Sequence, residues 1–298
     1  MWRFVTSMDF EMLASKIKNH LLFLLLPILV LGVSCGNENG DIIIDRPDKE
    51  IKQLSIFFIN DPHARLTNFA KIKHIVDVAK EETNTLLVVA GDIFSGSPYV
   101  DQYDPKGYPM IDVMNQTGFD VGALGNHEFD YGLEVLEDRI EQSTFPWLCA
   151  NVDTKTSALS QPDPYISLTI GGVKVTFLGL VETGGHPTKV IPATHPWRVT
   201  DISFQRYSEV AGDYSTLKKD EGADVLVALT HLGLFSDQQL ATNFPYFDLI
   251  IGGHSNNRST ESINGIPTLM AGNNLSHLGR VDIEIANDKV TILKSELI

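Results

Sequence analysis

Short apolar runs rich in branched and aromatic residues recur along the chain, and most of them end abruptly in polar residues. Five runs have the length and composition of buried strands: 54–59, 86–90, 119–124, 225–229 and 247–251. Two other segments, 69–79 and 133–140, place their apolar residues at helical spacing instead. Strands that alternate with helices in this way predict β-α-β units and a parallel sheet.

Elsewhere apolar and polar positions alternate, which is typical of strands with one buried face. The segments 166–170 and 173–177 flank Gly171-Gly172, and the segment 281–285 precedes Asn287-Asp288, so each pattern predicts a hairpin. Parallel units and hairpins together fit an α/β fold, a four-layer α-β-β-α sandwich of two mixed β-sheets flanked by helices. We expect this domain to span residues 51–298.

Composition supports one large domain and narrows the choice of ligand. The chain has 298 residues, of which 43% are apolar, so it can bury a full core. Its formal net charge is −15, and no run of Lys or Arg forms a basic stripe. A nucleic-acid polymer held through its phosphates is therefore excluded as the expected partner. A small anionic substrate would need metal ions to receive it.

The first 35 residues have the anatomy of an export signal. Lys16 and Lys18 precede the apolar run 21–33, which ends at Ser34-Cys35. The segment 31–35 resembles the cleavage box of bacterial lipoproteins, which implies lipidation of Cys35, a lipid anchor in a membrane, and an exported protein at the periplasm or cell surface. Ordinary signal-peptidase cleavage and an uncleaved anchor are the alternatives. Residues 36–50 are polar and lack aromatic residues, so we expect a flexible tether there.

Lipidation of Cys35 would leave Cys149 as the only thiol of an exported chain, which excludes an intramolecular disulfide. Cys149 lies in the strand-like run 147–152. We expect it to be a buried small hydrophobic residue rather than a catalytic one.

Polar donors follow each of the five predicted strands. The blocks are Asp61-x-His63, Gly91-Asp92, Gly125-Asn126-His127-Glu128, Thr230-His231 and Gly252-Gly253-His254-x-Asn256. Open α/β sheets bind their ligands at the carboxyl ends of strands, so we expect these side chains to meet. Carboxylate, amide and imidazole donors without thiolate suit two divalent ions of Mn, Zn, Fe or Co.

In this order the motifs resemble the calcineurin-like metallophosphoesterases, and among them the N-terminal metal-binding domain of bacterial 5′-nucleotidases and UDP-sugar hydrolases. The resemblance covers residues 54–285. It is carried by Asn60-Asp61-Pro62-His63, Ala90-Gly91-Asp92-Ile93-Phe94-Ser95-Gly96-Ser97-Pro98, Gly125-Asn126-His127-Glu128-Phe129-Asp130 and Gly252-Gly253-His254-Ser255.

The resemblance implies a role for each matching residue. Six are implied metal ligands: Asp61 and His63 for one ion, Asn126, His231 and His254 for the other, and Asp92 for both. A hydroxide held by the metals would be the nucleophile. His127 would stabilise charge on the phosphoryl group or protonate the leaving oxygen, and Asp130 would orient its ring.

Three side chains and one loop have other expected roles. Asn126 and Arg65 are candidate substrate contacts, although a surface ion pair is the competing interpretation of Arg65. Glu128 is expected to face solvent or to aid the start of the next helix. The loop 94–108 is a candidate wall of the substrate cleft, or a loop that docks a partner.

The chain departs from the family pattern at two places. The last block ends in Asn256 where the family has His or Gln, so Asn256 would complete the first metal site through its carbonyl oxygen or leave that position to water. The sequence ends at Ile298, so the C-terminal nucleotide-binding domain of these nucleotidases is expected to be absent. A separately encoded protein that supplies this domain is the expected partner.

The sequence thus predicts an exported dinuclear-metal phosphoesterase that hydrolyses phosphate monoesters of small organophosphates or nucleotides, as a 5′-nucleotidase does. One alternative is a phosphodiesterase acting on nucleotide-sugars or cyclic nucleotides. The other is a non-catalytic metal-binding lipoprotein that acts as a partner or scaffold.

Overall fold

A computed structural model describes residues 51–155 and 157–298. The strands are β1 Lys52–Ile59, β2 Thr85–Ala90, β3 Val121–Ala123, β4 Trp147–Leu148, β5 Val152–Asp153, β6 Tyr165–Ile170, β7 Val173–Val181, β8 Ser203–Phe204, β9 Val225–His231, β10 Leu249–Ile251, β11 Arg258–Ile263, β12 Ile266–Ala271, β13 Gly279–Ala286 and β14 Lys289–Leu297. The α-helices are α1 Phe69–Glu82, α2 Pro98–Asp101, α3 Tyr108–Thr117, α4 Leu133–Gln142, α5 Tyr207–Val210, α6 Leu217–Asp220 and α7 Leu234–Asn243. Single 3₁₀ turns span His127–Tyr131, Pro196–Arg198 and Ala211–Tyr214.

The strands form two six-stranded mixed sheets and one small ribbon. The first sheet has the order β14-β13-β1-β2-β3-β4, and the second has the order β11-β12-β10-β9-β7-β6. In each sheet four neighbouring strands run parallel and hairpin strands continue the edge as antiparallel partners. Strands β5 and β8 pair separately.

Three buried clusters define the layers. One cluster lies between the sheets, where Ile56 and Val88 of the first sheet and Val227 of the second belong to the same apolar core. The outer face of the first sheet packs against α1, α3 and α4, and the outer face of the second packs against α6 and α7. The order is therefore helices, sheet, sheet, helices, and the predicted α-β-β-α sandwich is confirmed.

Both predicted hairpins are present, because β6 pairs with β7 across Gly171-Gly172 and β13 pairs with β14 across Asn287-Asp288. The expected strand at 147–152 is wrong in extent. The chain forms two short strands there, and Asn151 between them hydrogen-bonds the backbone of Val181 with both its amide oxygen and its amide nitrogen. Cys149 is buried, as expected.

The predicted signal at 1–35, the lipidation site Cys35 and the tether at 36–50 all lie outside the described residues. Within the described ranges, none of the helices combines the length and the apolar character that crossing a membrane requires.

Candidate metal centre

The polar blocks lie where the sequence predicts, at the carboxyl ends of parallel strands in the two sheets. The first three follow β1, β2 and β3 of the first sheet, and the last two follow β9 and β10 of the second. Both sheets direct these ends toward one place. Two groups of potential ligand atoms result: His63, Asp92 and His127 form one, and Asp92, His231 and His254 form the other.

Asp92 is the residue that the two groups share. Its Oδ2 lies 3.1 Å from His231 Nε2 and 4.0 Å from His63 Nε2, while its Oδ1 accepts a hydrogen bond from the His127 N–H. Burial opposes ionisation of this carboxyl, but the His231 ring beside it holds the pKa of Asp92 well below its usual range. Asp92 therefore presents a negative charge to both groups.

Two buried polar atoms in this centre have no hydrogen-bond partner of suitable geometry among the described residues: Asp61 Oδ1, and His231 Nε2, whose 3.1 Å contact with Asp92 Oδ2 is not aligned as a hydrogen bond. The other imidazole nitrogen of His231, Nδ1, lies 2.8 Å from the Ala90 carbonyl oxygen and can donate to it, which turns Nε2 toward Asp92. Although burial lowers it, the pKa of His231 rises to about 10 because Asp92 and Asp61 lie nearby. A site with buried oxygen and nitrogen atoms that lack hydrogen-bond partners, and with a preference for positive charge, fits divalent cations.

The remaining donors surround these atoms. His63 Nε2 lies 3.7 Å from Asp61 Oδ1. His254 Nδ1 lies 2.9 Å from Asn126 Oδ1, and the backbone N–H of His254 donates to Asp61 Oδ2. The contact between Asn126 and His254 thus places Asn126 beside the group formed by Asp92, His231 and His254. Burial lowers the pKa of the His254 imidazole, which keeps it in the neutral form that metals bind.

The backbone is shaped for this convergence. Several donor-bearing residues adopt positive φ angles that non-glycine residues rarely adopt: Asp61 at 50°, His63 at 46°, Asp92 at 55°, His254 at 79° and Asn256 at 57°. The strand ends also approach closely, since a Cβ atom on Gly253 would lie 2.3 Å from the Ala90 carbonyl oxygen. Only glycine fits at this crossing between the two sheets.

His127 and Asp130 form a hydrogen-bonded pair at the edge of the centre. His127 Nδ1 lies 2.6 Å from Asp130 Oδ2, which also accepts a hydrogen bond from the Ser95 hydroxyl, and Thr194 donates to the other carboxylate oxygen. This bond to Asp130 raises the pKa of His127 to about 9. At neutral pH the imidazole carries a proton that it can give to a reacting oxygen.

The expectation that Glu128 faces solvent or serves the next helix is wrong. Its side chain is fully buried, and its carboxylate accepts hydrogen bonds from the backbone N–H groups of Asp92, Ile93 and Gly125 at 2.9, 2.6 and 2.5 Å. Glu128 therefore ties the loop after β2 to the loop after β3. The three N–H donors need an acceptor in a place that water does not reach.

Asp237 is a second buried carboxyl that sequence reasoning missed. It lies on α7 and accepts a hydrogen bond from Thr230 next to His231, and its other carboxyl oxygen has no hydrogen-bond partner within 51–155 and 157–298. A Cβ atom on Gly252 would lie 2.0 Å from that oxygen, so Asp237 packs directly on the loop that leads to His254. The sequence signal was an acidic residue at helical spacing from the apolar residues Leu240 and Ala241, which lie on the buried face of α7.

Two open clefts reach the centre, and residues of the loop 183–195 line both of them. We call the first the His127 cleft, a space of about 650 Å³ whose lining includes Ser95, Lys106, His127, Tyr131, His195 and Arg198. We call the second the His254 cleft, a space of about 540 Å³ whose lining includes Glu182, His186, Lys189, Arg206, Ser236 and His254. The loop 94–108 contributes Ser95, Asp101 and Lys106 to the first, as expected of a cleft wall.

Two of the predicted site residues, Asn256 and Arg65, are exposed. Asn256 is exposed and its side chain forms no hydrogen bond with another described residue, so its role as a ligand stays a prediction. Arg65 is exposed and its Nε donates to Asn274 Oδ1 at 3.1 Å, in place of the surface ion pair that was one interpretation. Its contact with phosphate stays a prediction.

The model of the calcineurin-like phosphoesterase family matches residues 54–257, which include every ligand-bearing block. The chain belongs to this family. The reaction class of the calcineurin-like phosphoesterases, metal-dependent hydrolysis of phosphoric esters, agrees with the centre described above. The predicted family and enzyme class are confirmed.

Relatives among characterised proteins and solved structures agree with this family. A trifunctional nucleotide phosphoesterase, YfkN of Bacillus subtilis, is 29% identical over 91% of the chain and 22% of its own length. A 5′-nucleotidase of Vibrio cholerae is 32% identical over 70% of the chain and 41% of its own length. A crystal structure of the YfkN calcineurin-like phosphoesterase has a TM-score of 0.68 at 27% identity, covering 84% of the chain and 90% of that structure. The chain thus spans less than half the length of these two sequence relatives.

Proposed function

We propose that the chain is a phosphomonoesterase of the 5′-nucleotidase type, which releases orthophosphate from nucleoside monophosphates and similar small organophosphates at a pair of divalent ions. The observation that carries the proposal is the placement of Asp92. One carboxylate lies in both groups of donors, and the His127–Asp130 pair stands beside it. Relatives named 5′-nucleotidase support the choice of substrate.

In this proposal Asp61, His63 and Asp92 would hold one ion, and Asp92, Asn126, His231 and His254 would hold the other. Divalent ions at such ligands polarise a phosphoryl group and lower the pKa of a bound water. Ala90 fixes the tautomer of His231 through its carbonyl oxygen, so that Nε2 points inward. Glu128 holds the Asp92 backbone in place.

His127 acts on the leaving group. Its proton-bearing ring stands at the edge of the metal centre, and its other nitrogen is held by Asp130. From there it can protonate the ester oxygen as the bond to phosphorus breaks, while Asp130 stabilises the charged imidazole. Neither residue is needed for metal binding in this scheme.

The test is product analysis with the purified chain, chelated and then reloaded with Mn²⁺ or Zn²⁺. We expect orthophosphate from nucleoside 5′-monophosphates without any added enzyme.

A phosphodiesterase is the second candidate, because relatives from Salmonella typhimurium and Yersinia enterocolitica are named 2′,3′-cyclic-nucleotide 2′-phosphodiesterase/3′-nucleotidase. Release of a monoester from a cyclic nucleotide, with no attack on monophosphates, would favour that candidate and overturn ours.

We also propose that the enzyme is exported and anchored through Cys35, on the strength of the signal-like residues that precede it. Expression in a bacterial host with labelled palmitate should label the wild-type chain and not a Cys35→Ala variant. Labelling of both, or of neither, would contradict the anchor.

A further inference from the structure

The His127 cleft differs from the His254 cleft in its relation to the reaction. A residue that protonates the leaving oxygen must face the leaving group, and His127 lines only the first of these two clefts. The alcohol part of the substrate therefore lies in the His127 cleft; this step rests on the proposed function. With about 650 Å³, the cleft has room for a leaving group far larger than a simple alkyl chain.

The acidic groups in this cleft are already engaged. Asp130 accepts hydrogen bonds from Ser95 and Thr194 in addition to its bond with His127. Asp101 accepts hydrogen bonds from the Tyr131 hydroxyl and from the Gly96 N–H. These carboxylates are therefore committed to holding the walls of the cleft.

The two cations of the His127 cleft, Lys106 and Arg198, contact aromatic rings instead of carboxylates. The Arg198 guanidinium lies 3.9 Å from the centre of the Trp197 ring, and the Lys106 ammonium lies 5.7 Å from the centre of the Tyr131 ring. Neither forms an ion pair with a carboxylate in the ranges 51–155 and 157–298, and within those ranges the buried Arg198 Nε has no hydrogen-bond partner. A contact with the face of an aromatic ring positions a cation without using its N–H donors.

Lys106 and Arg198 line the same cleft as His127 and have no carboxylate partner among the described residues, although the chain has a formal net charge of −15. A planar guanidinium and an ammonium group that line the same cleft are suited to binding a phosphate group. We propose that the His127 cleft binds a second phosphate, carried on the leaving alcohol. The preferred substrates are then small bisphosphates, such as nucleoside or sugar bisphosphates, rather than simple monoesters.

Binding can be measured without turnover. Calorimetry with Mn²⁺-loaded protein would compare propylphosphonate with a series of alkane-α,ω-bisphosphonates of increasing chain length. We expect at least one bisphosphonate to bind about tenfold tighter than the monophosphonate, the gain typical of hydrogen bonds to a charged group. Lys106→Gln and Arg198→Gln should each remove most of this gain, and Arg198→Lys should restore part of it.

Lys189→Gln is the matched control, because Lys189 is a cation of the His254 cleft. It should leave the ratio of the two affinities unchanged. Equal affinities for both ligand classes, or a loss of the ratio in Lys189→Gln with none in Lys106→Gln and Arg198→Gln, would overturn the inference. Lys106 is exposed, so its variant keeps the test valid if Arg198→Gln does not fold.

Initial rates separate this inference from the proposed function. The wild-type enzyme should release orthophosphate from propyl phosphate. At low substrate concentration it should release orthophosphate faster from an alkanediol bisphosphate whose chain length matches that of the bisphosphonate that binds most tightly. Release at equal kcat/KM from both would leave the proposed function standing and overturn the second-phosphate site. No release from either, together with tight binding of the bisphosphonate, would overturn the proposed function and retain the site.

Discussion

His127 shows how one side chain acquires a chemical role from its neighbours. Asp130 holds its Nδ1, and the bond raises the pKa of the imidazole to about 9. The Asp92 carboxylate accepts a hydrogen bond from its backbone N–H, which fixes the residue beside the metal centre. A protonated ring in that position can serve a leaving group that is a strong base.

We predict that His127→Asn lowers kcat for alkyl phosphates by about 10² to 10⁴, the usual contribution of general acid catalysis. The loss should be much smaller for p-nitrophenyl phosphate, whose leaving group needs no proton at neutral pH. Steady-state rates on both substrates would measure this difference. The control is His74→Asn, an exposed histidine on α1. Equal losses on the two substrates would contradict the role of His127 as an acid.

Residues whose side chains offer metal-ligand atoms at strand ends could be identified from the sequence, because their types and their order are visible there. Glu128 could not. Its partners are the backbone N–H groups of Asp92 and Ile93, more than thirty residues away, and of Gly125. A backbone donor leaves no mark in a sequence, so a carboxylate that binds several of them resembles any surface acid.

At the scale of elements, Glu128 joins the loops that follow β2 and β3. We predict that Glu128→Gln destabilises the fold by about 1–3 kcal/mol, because the amide turns an N–H₂ group toward backbone donors and leaves some of them unpaired. Denaturant unfolding would measure the change, and Glu141→Gln, an exposed residue of α4, is the control. Equal stability of the two variants would contradict the assignment.

Asp237 connects α7 with β9 and with the loop after β10. Burial raises the pKa of its carboxyl from 3.8 to about 7, against the lowering effect of the Thr230 hydroxyl and of His231. The folded protein therefore binds this proton more tightly than the unfolded chain does. The resulting stabilisation of the fold is fully present below the pKa of Asp237 in the unfolded chain and is lost as the pH rises toward 7. Its size is about 1.4 kcal/mol for every unit by which the pKa of Asp237 differs between the folded and the unfolded chain.

We predict that the Asp237→Asn variant, whose residue 237 does not titrate, becomes more stable relative to the wild type as the pH rises. The difference in melting temperature, variant minus wild type, should increase between pH 5 and pH 8 in the presence of a chelator. Asp138→Asn, an exposed residue of α4, should show no such trend. A difference that stays constant with pH would mean that Asp237 does not hold a proton in the folded state.

The elements themselves could be predicted well where the pattern was local. Apolar runs identified the parallel strands, and alternation across Gly171-Gly172 identified the β6–β7 hairpin. The segment 147–152 was misjudged because Asn151 replaces strand pairing with side-chain bonds to Val181 and Gln205. A side chain that substitutes for a backbone partner interrupts a strand without changing its apolar pattern.

At the scale of the molecule, the centre exists because two sheets direct their carboxyl ends to the same place. Neither sheet holds a complete set of donors: Asp61, His63 and Asp92 come from the first, and His231 and His254 come from the second. The packing of one sheet on the other therefore determines the geometry of the site. Ions bound between them should also stabilise the folded state, by mass action.

The most direct test of a two-ion phosphomonoesterase is to titrate Mn²⁺ into the chelated chain while counting bound ions and orthophosphate released from a nucleoside 5′-monophosphate. We predict two ions per chain, with release that follows their binding, and a marked loss of both in Asp92→Asn. Full occupancy by two ions without release of orthophosphate, or undiminished release by Asp92→Asn, would contradict the account.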